Sequence, residues 1–137
     1  MNNKRGFTLI ELLAVIIVIA IIITITIPNV IETMNNSKKQ ALITFAKKAI
    51  TEAEQLELEK TLTNEPQDKL RGVNGRGKYA GNIKLNDKNG KPYYTIIVHD
   101  DKYCLYNLKI NELKLENVKK YEGIKNKKDT CLEFPED

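Results

Sequence analysis

The chain has no tryptophan, one histidine and two cysteines in 137 residues. The cysteines, Cys104 and Cys131, form no CxxC pair and stand in no Cys/His cluster, so the ligand spacing of a structural zinc site is missing. His99 sits beside Asp100 and Asp101 in an expected turn, without the nucleophile and pocket that a catalytic triad needs. The glycine-rich stretch "GVNGRGKYAG" has no Lys-Ser/Thr end and no strand–loop–helix pattern around it, which excludes a P-loop and leaves a connecting loop. Asp87, Asn89, Asp100 and Asp101 offer oxygens, but the Asp-x-Asp-x-Asp-Gly loop of a calcium site is absent, and they read as turn residues. No enzymatic activity, metal or cofactor is expected.

Charge of one sign is also scarce. The net charge is +4, and Lys4 and Arg5 supply two of those charges; the remainder holds 20 basic and 18 acidic residues. The densest basic patch, seven lysines from Lys109 to Lys128, is interleaved with Glu112, Glu116 and Glu122 and reads as a solvated face. A nucleic-acid partner is not expected, because such a surface carries a stronger, clustered basic footprint.

Polar residues are missing altogether from Leu12 to Ile23, and basic ones from Gly6 until Lys38. Phe7 to Ile27 is 21 residues, about 30 Å as a helix, enough to cross a bilayer core. A secretory signal peptide fits poorly, since the run is too long and no small-x-small cleavage site follows it. The basic pair before the span orients the N-terminus to the cytoplasm and everything beyond Pro28 to the outside. That side also suits a chain with an even number of cysteines.

Glu11 fits neither a signal peptide nor a plain anchor. An acid within a span costs free energy that Leu or Val would avoid, so it needs a cationic partner. The cations near it in sequence are Lys4 and Arg5; a cut between Gly6 and Phe7 would create another, the α-amino group of Phe7. Lys4-Arg5-Gly6-Phe7-Thr8-Leu9-Ile10-Glu11 resembles the class III signal of type IV pilins and of type II secretion pseudopilins. The resemblance extends through the apolar run, Pro28 and the amphipathic stretch beyond it. It implies a leader, residues 1–6, removed after Gly6 by a prepilin peptidase, and N-methylation of Phe7. It also implies assembly in which Glu11 faces the Phe7 amine of a neighbouring subunit. An apolar fibre core tolerates a paired carboxylate far better than an orphaned one, which favours one register.

Pro28 lacks an N–H and opposes the Thr24 carbonyl, so a kink or a locally meltable turn is expected, with Thr24 and Thr26 able to hydrogen-bond back. From Val30 to Leu56 apolar residues return at helical spacing: Val30, Ile31, Met34, Ala41, Leu42, Phe45, Ala49, Ile50, Ala53 and Leu56. A helix from Phe7 to Leu62 would be about 84 Å long, too long for the ~75 residues left to form a core, so its first half should protrude.

The remaining elements are short. Residues 63–81 read as a loop, and 82–137 as a meander: Asn82–Leu85, an Asn89-Gly90 turn, Lys91–Val98, then Tyr103–Ile110 with Cys104, Tyr106, Leu108 and Ile110 on one face. Leu113–Val118 suits a fourth strand or a short helical piece. The expected fold is α+β: a long N-terminal helix, span 7–28 and amphipathic part 29–62, on an antiparallel sheet of three or four strands. A Cys104–Cys131 disulfide would resemble the C-terminal loop of many pilins and stabilise by roughly 3–4 kcal/mol.

The function implied by the resemblance is structural. The chain would be a subunit of a type IV pilus for adhesion, surface motility or biofilm formation. It would lie in membrane lipid first, then assemble with identical or related pilins through an inner-membrane platform and ATPase. Two alternatives stay open: a pseudopilin of a secretion or DNA-uptake system, and, from a different class, an uncleaved single-pass binding module.

Overall fold

The computed structural model describes residues 6–64, 66, 70–75, 78–121, 131 and 134. Residues 1–5, and with them the basic pair Lys4-Arg5, lie outside the described residues, as does the lysine-rich stretch 122–130. The chain divides into two compact units, Met1–Asn36 and Ser37–Asp137.

A single α-helix, α1 (Leu9–Thr63), supplies the regular structure of the first unit and the helix of the second. In the first unit every large apolar side chain from Phe7 to Met34 is exposed. This helix is long and apolar enough to cross a membrane, with a mean hydropathy of 3.1 over its most apolar window. Helical structure continues through Pro28. The hydroxyl of Thr24 donates to the carbonyl of Ala20 (2.8 Å) and that of Thr26 to the carbonyl of Ile22 (3.0 Å). Both therefore serve the turn before, and neither reaches the Thr24 carbonyl, the group that Pro28 deprives of a donor.

The second unit packs helix residues 42–53 against a five-stranded antiparallel sheet. Its strands are β1 (Leu70–Gly75), β2 (Tyr79–Lys88), β3 (Lys91–His99), β4 (Tyr103–Leu108) and β5 (Lys119–Lys120), each paired with its neighbour in sequence. Leu42, Ile43, Ala46, Ala49, Ile50 and Ala53 of α1 are buried. They meet Ile83, Ile96, Val98, Tyr103, Leu105 and Leu113. Each large aliphatic residue so buried stabilises by about 1.5–3 kcal/mol. The helical spacing places Leu42, Ala49, Ile50 and Ala53 in this core correctly; it omits Ile43 and Ala46, and Ala41 is exposed.

Two expectations change. Five strands replace three or four, because the stretch 63–81 is not all loop. Leu70–Gly75 is a strand whose six residues pair in register with Tyr79–Lys84 of β2. Its glycines read as breakers in isolation, yet Gly72 simply faces Asn82 across the ladder. Gly81 is required rather than tolerated: a Cβ there would collide with the Ile97 carbonyl oxygen of β3.

Of the two readings of Leu113–Val118, the short helical piece is the one found, at Leu115–Asn117. Two 3-10 turns, Ile110–Glu112 and Leu115–Asn117, precede the two-residue β5. The Glu112 carboxylate holds the first by accepting the Lys109 backbone N–H at 2.8 Å.

The expected single face of β4 is also split. Cys104 and Tyr106 lie in a second cluster with Ile97, whereas Leu108 packs with the helix-side core. The register shifts between the Ile96–Leu108 and Val98–Leu105 pairs, and Asn107 takes a positive φ of 50°. The extra residue on β4 reverses the alternation, as a β-bulge does.

The β2–β3 hairpin matches its sequence signal. Asn89 and Gly90 both have positive φ, 59° and 75°, the type I′ geometry that twists with its flanking strands. The Asp87 carboxylate accepts the Gly90 N–H at 2.8 Å. Asp100 is buried and accepts the backbone N–H groups of Lys102 and Tyr103, closing the β3–β4 turn.

Candidate functional site

The N-terminal site is built from the local start of α1. Gly6, Phe7 and Thr8 precede the helix in non-helical backbone, and the Phe7 side chain is 91% exposed. Thr8 is followed three residues later by Glu11, just ahead of an apolar run, which is the spacing of a capping box. The side chains meet that description. The Glu11 carboxylate accepts the Thr8 backbone N–H at 2.9 Å, and the Thr8 hydroxyl accepts the Glu11 backbone N–H at 3.3 Å. Two of the N–H groups that a helix start leaves unsatisfied are thereby engaged reciprocally. The Leu12 N–H continues the ladder to the Thr8 carbonyl at 3.2 Å.

This arrangement gives Glu11 a local role that its reading as an unmatched acid leaves out. The signal, Thr-x-x-Glu before hydrocarbon, is visible in the sequence. A carboxylate in the first turn also faces the positive end of the helix dipole. One oxygen, Oε2, is used in the cap, and Oε1 accepts no hydrogen bond from the described residues. The carboxylate thus has capacity for a further donor. The bond between Gly6 and Phe7 lies outside the helix, two residues ahead of its first helical position.

The second site is the disulfide. Cys104 on β4 and Cys131 are bonded, with their Cα atoms 6.2 Å apart. Both are buried beside Ile97, and Tyr106, Tyr121 and Phe134 pack around them. The bond ties residues beyond β5 back to the middle of the sheet. His99 stacks on Tyr121 with ring centroids 4.8 Å apart, so its place is in this aromatic packing. The carboxylates of Asp87 and Asp100 are occupied in turns, and no cluster of three or more metal-ligating side chains exists among the described residues.

A groove of about 650 Å³ lies between the last helical turns and the sheet. Its walls include Ile50, Leu58, Leu85 and Ile110, and its acidic groups are Glu54 and Glu57. Tyr94 lines it, and its phenol is raised above the ordinary 10.0, first by burial and then by the nearby charges of Glu57 and Glu54.

Residues 1–27 match the family model of the prokaryotic N-terminal methylation motif, the class III prepilin signal of type IV pilins and pseudopilins. Neither the curated proteins nor the solved structures contain a significant match to the chain.

Proposed function

We propose that this chain is a structural subunit of a type IV pilus, cut after Gly6, methylated on Phe7 and polymerised through its N-terminal helix. The observation that carries the proposal is the methylation motif over residues 1–27, which overlaps a helix long and apolar enough to span a membrane. The geometry supports each step. A scissile bond in exposed, non-helical backbone is accessible to a peptidase, and its cleavage leaves the Thr8–Glu11 cap untouched. The large apolar side chains from Phe7 to Met34 are exposed in the single chain. Lipid satisfies them before assembly, and the same helix of neighbouring subunits satisfies them afterwards.

Within a bundle of such helices the Glu11 carboxylate needs compensation. The Phe7 amine of a neighbouring subunit, created by the cut, supplies it, and methylation of that amine preserves its charge. The partners are therefore a prepilin peptidase, further copies or related pilins, and a membrane platform driven by an ATPase. The pilus reading assigns the chain to adhesion, surface motility or biofilm formation. A pseudopilin would share every processing step; neighbouring genes for a retraction ATPase would favour the pilus, and a secretin set the pseudopilin.

Intact mass spectrometry of sheared surface filaments tests the proposal. The expected mass lacks residues 1–6 and carries one added methyl group. A full-length, unmethylated chain confined to the membrane would overturn it and restore the single-pass anchor.

A further inference from the structure

The helix of the second unit is divided by charge. Residues 37–48 carry four lysines, Lys38, Lys39, Lys47 and Lys48, and no acid; residues 49–59 carry four glutamates, Glu52, Glu54, Glu57 and Glu59, and no base. Lys48 and Glu52 bridge the divide, at 3.7 Å. Lys47 is exposed and has no ion-pair partner among the described residues; the same holds for the Glu54 carboxylate. Glu57 is half-buried, and one of its carboxylate oxygens has neither solvent nor a hydrogen-bond partner. An acidic oxygen left in that state costs free energy that a cation beside the carboxylate would recover. Lys109, the basic residue in the groove wall, has its ammonium 4.3 Å from the Tyr93 ring centroid.

We infer that the groove at Glu54 and Glu57 docks the basic helix segment of a second copy of this chain, with Lys47 of that copy against the Glu57 carboxylate. The inference rests on the assembly reading above and takes the two helix segments to run parallel. The chemistry is complementary at both levels. The lysine answers Glu54, which has no ion pair among the described residues, and Glu57, whose Oε1 lacks a hydrogen-bond partner although Lys60 and Arg71 line a small cavity with it; the exposed apolar Leu58, 67% accessible, with Ile110 on the facing wall, gives the lysine stem a surface to lie on. Lys47 lies seven residues before Glu54 and ten before Glu57, so parallel copies meeting this way are displaced along the axis by about 10–15 Å. The same distances keep Lys47 from reaching Glu57 within its own helix.

Reciprocal charge exchange tests this in the full chain expressed in cells. Lys47→Glu and Glu57→Lys alone should each lower filament yield, relative to the membrane pool, about ten-fold, as loss of a close interfacial charge pair does. Lys47→Glu combined with Glu57→Lys should restore most of it. Glu57→Gln provides a variant of unchanged shape, and formation of the Cys104–Cys131 bond reports that each variant folds. Zero-length carbodiimide cross-linking of filaments built from mixed light and heavy chains should join Lys47 of one isotope to Glu57 or Glu54 of the other. Unchanged yield from the single variants, failure of the double exchange to rescue, or cross-links from Glu57 to a different protein would overturn the docking. Loss of filaments already in the unaltered chain would instead overturn the assembly reading, and the docking with it.

Discussion

Under the proposed assembly Glu11 would serve both as a helix cap and as the partner of a neighbour's amine, and three substitutions distinguish the two roles. Glu11→Gln keeps an acceptor at the third position of the capping box, where Gln serves as well as Glu, but removes the charge. Thr8→Ala removes the hydroxyl that holds the Glu11 N–H and leaves the charge in place. Glu11→Ala removes both. Losing the hydroxyl of an N-cap costs about 1 kcal/mol, spent locally on fraying of the first turn. Leaving one member of a buried ion pair without the other costs about 3–5 kcal/mol, which is about two to four orders of magnitude in the equilibrium for adding a subunit. Filament yield from sheared surface material, divided by the processed membrane pool, reads the difference. Glu11→Gln and Glu11→Ala should both nearly abolish filaments while cleavage after Gly6 continues, and Thr8→Ala should reduce yield only several-fold. If Glu11→Gln assembled normally while Thr8→Ala and Glu11→Ala failed together, the residue would be a helix cap and nothing more.

Replacing Cys104 and Cys131 with Ala should destabilise the second unit by roughly 3–4 kcal/mol on a chain-entropy estimate, read as faster proteolysis of the exposed domain; two titratable thiols in the unaltered, denatured chain would remove the premise. Ile50→Ala, at a fully buried position on the helix, should cost about 2–5 kcal/mol in the same assay, whereas Leu62→Ala, at an exposed position, should cost little. Gly81→Ala should prevent normal β2–β3 pairing because of the Ile97 carbonyl, and wild-type protease resistance would contradict that contact. Tyr94 should ionise above an ordinary tyrosine in an alkaline absorbance titration compared with Tyr94→Phe, and Glu57→Gln should bring its titration down. Because its folded pKa is raised, its contribution to stability is present below 10.0 and is lost as the pH rises through the higher folded value.

The parts of the fold legible in the sequence are those set by local chemistry. The Asn89-Gly90 pair dictates a type I′ turn because both residues accept positive φ. The apolar stripe finds Leu42, Ala49, Ile50 and Ala53 because helical period alone places them on one face. Ile43 and Ala46 escape it because the sheet covers a broader arc of helix than a narrow stripe allows. β1 is illegible for a different reason. Of its six residues Val73 alone signals a strand from within the sequence LRGVNG beyond the leading leucine, and the pairing is imposed by β2. The face of Leu108 depends on the bulge and on Asn107, features that alternation cannot anticipate. At the N-terminus the capping box stands in plain sight as Thr-x-x-Glu, but the cost of an acid in hydrocarbon draws attention to distant partners before the amide three residues away.

The strand order has a kinetic consequence. Each strand pairs with the one that follows it, so the sheet contains no crossover and can be laid down one hairpin at a time. A chain threaded outward through a membrane from its anchored end would meet these elements in the order in which they pair, with short loops to close at each step. Cys131, which follows all five strands, comes after them. Its oxidation would act as a latch set once the meander has already formed, so that a chain arrested part-way through export stays unlatched.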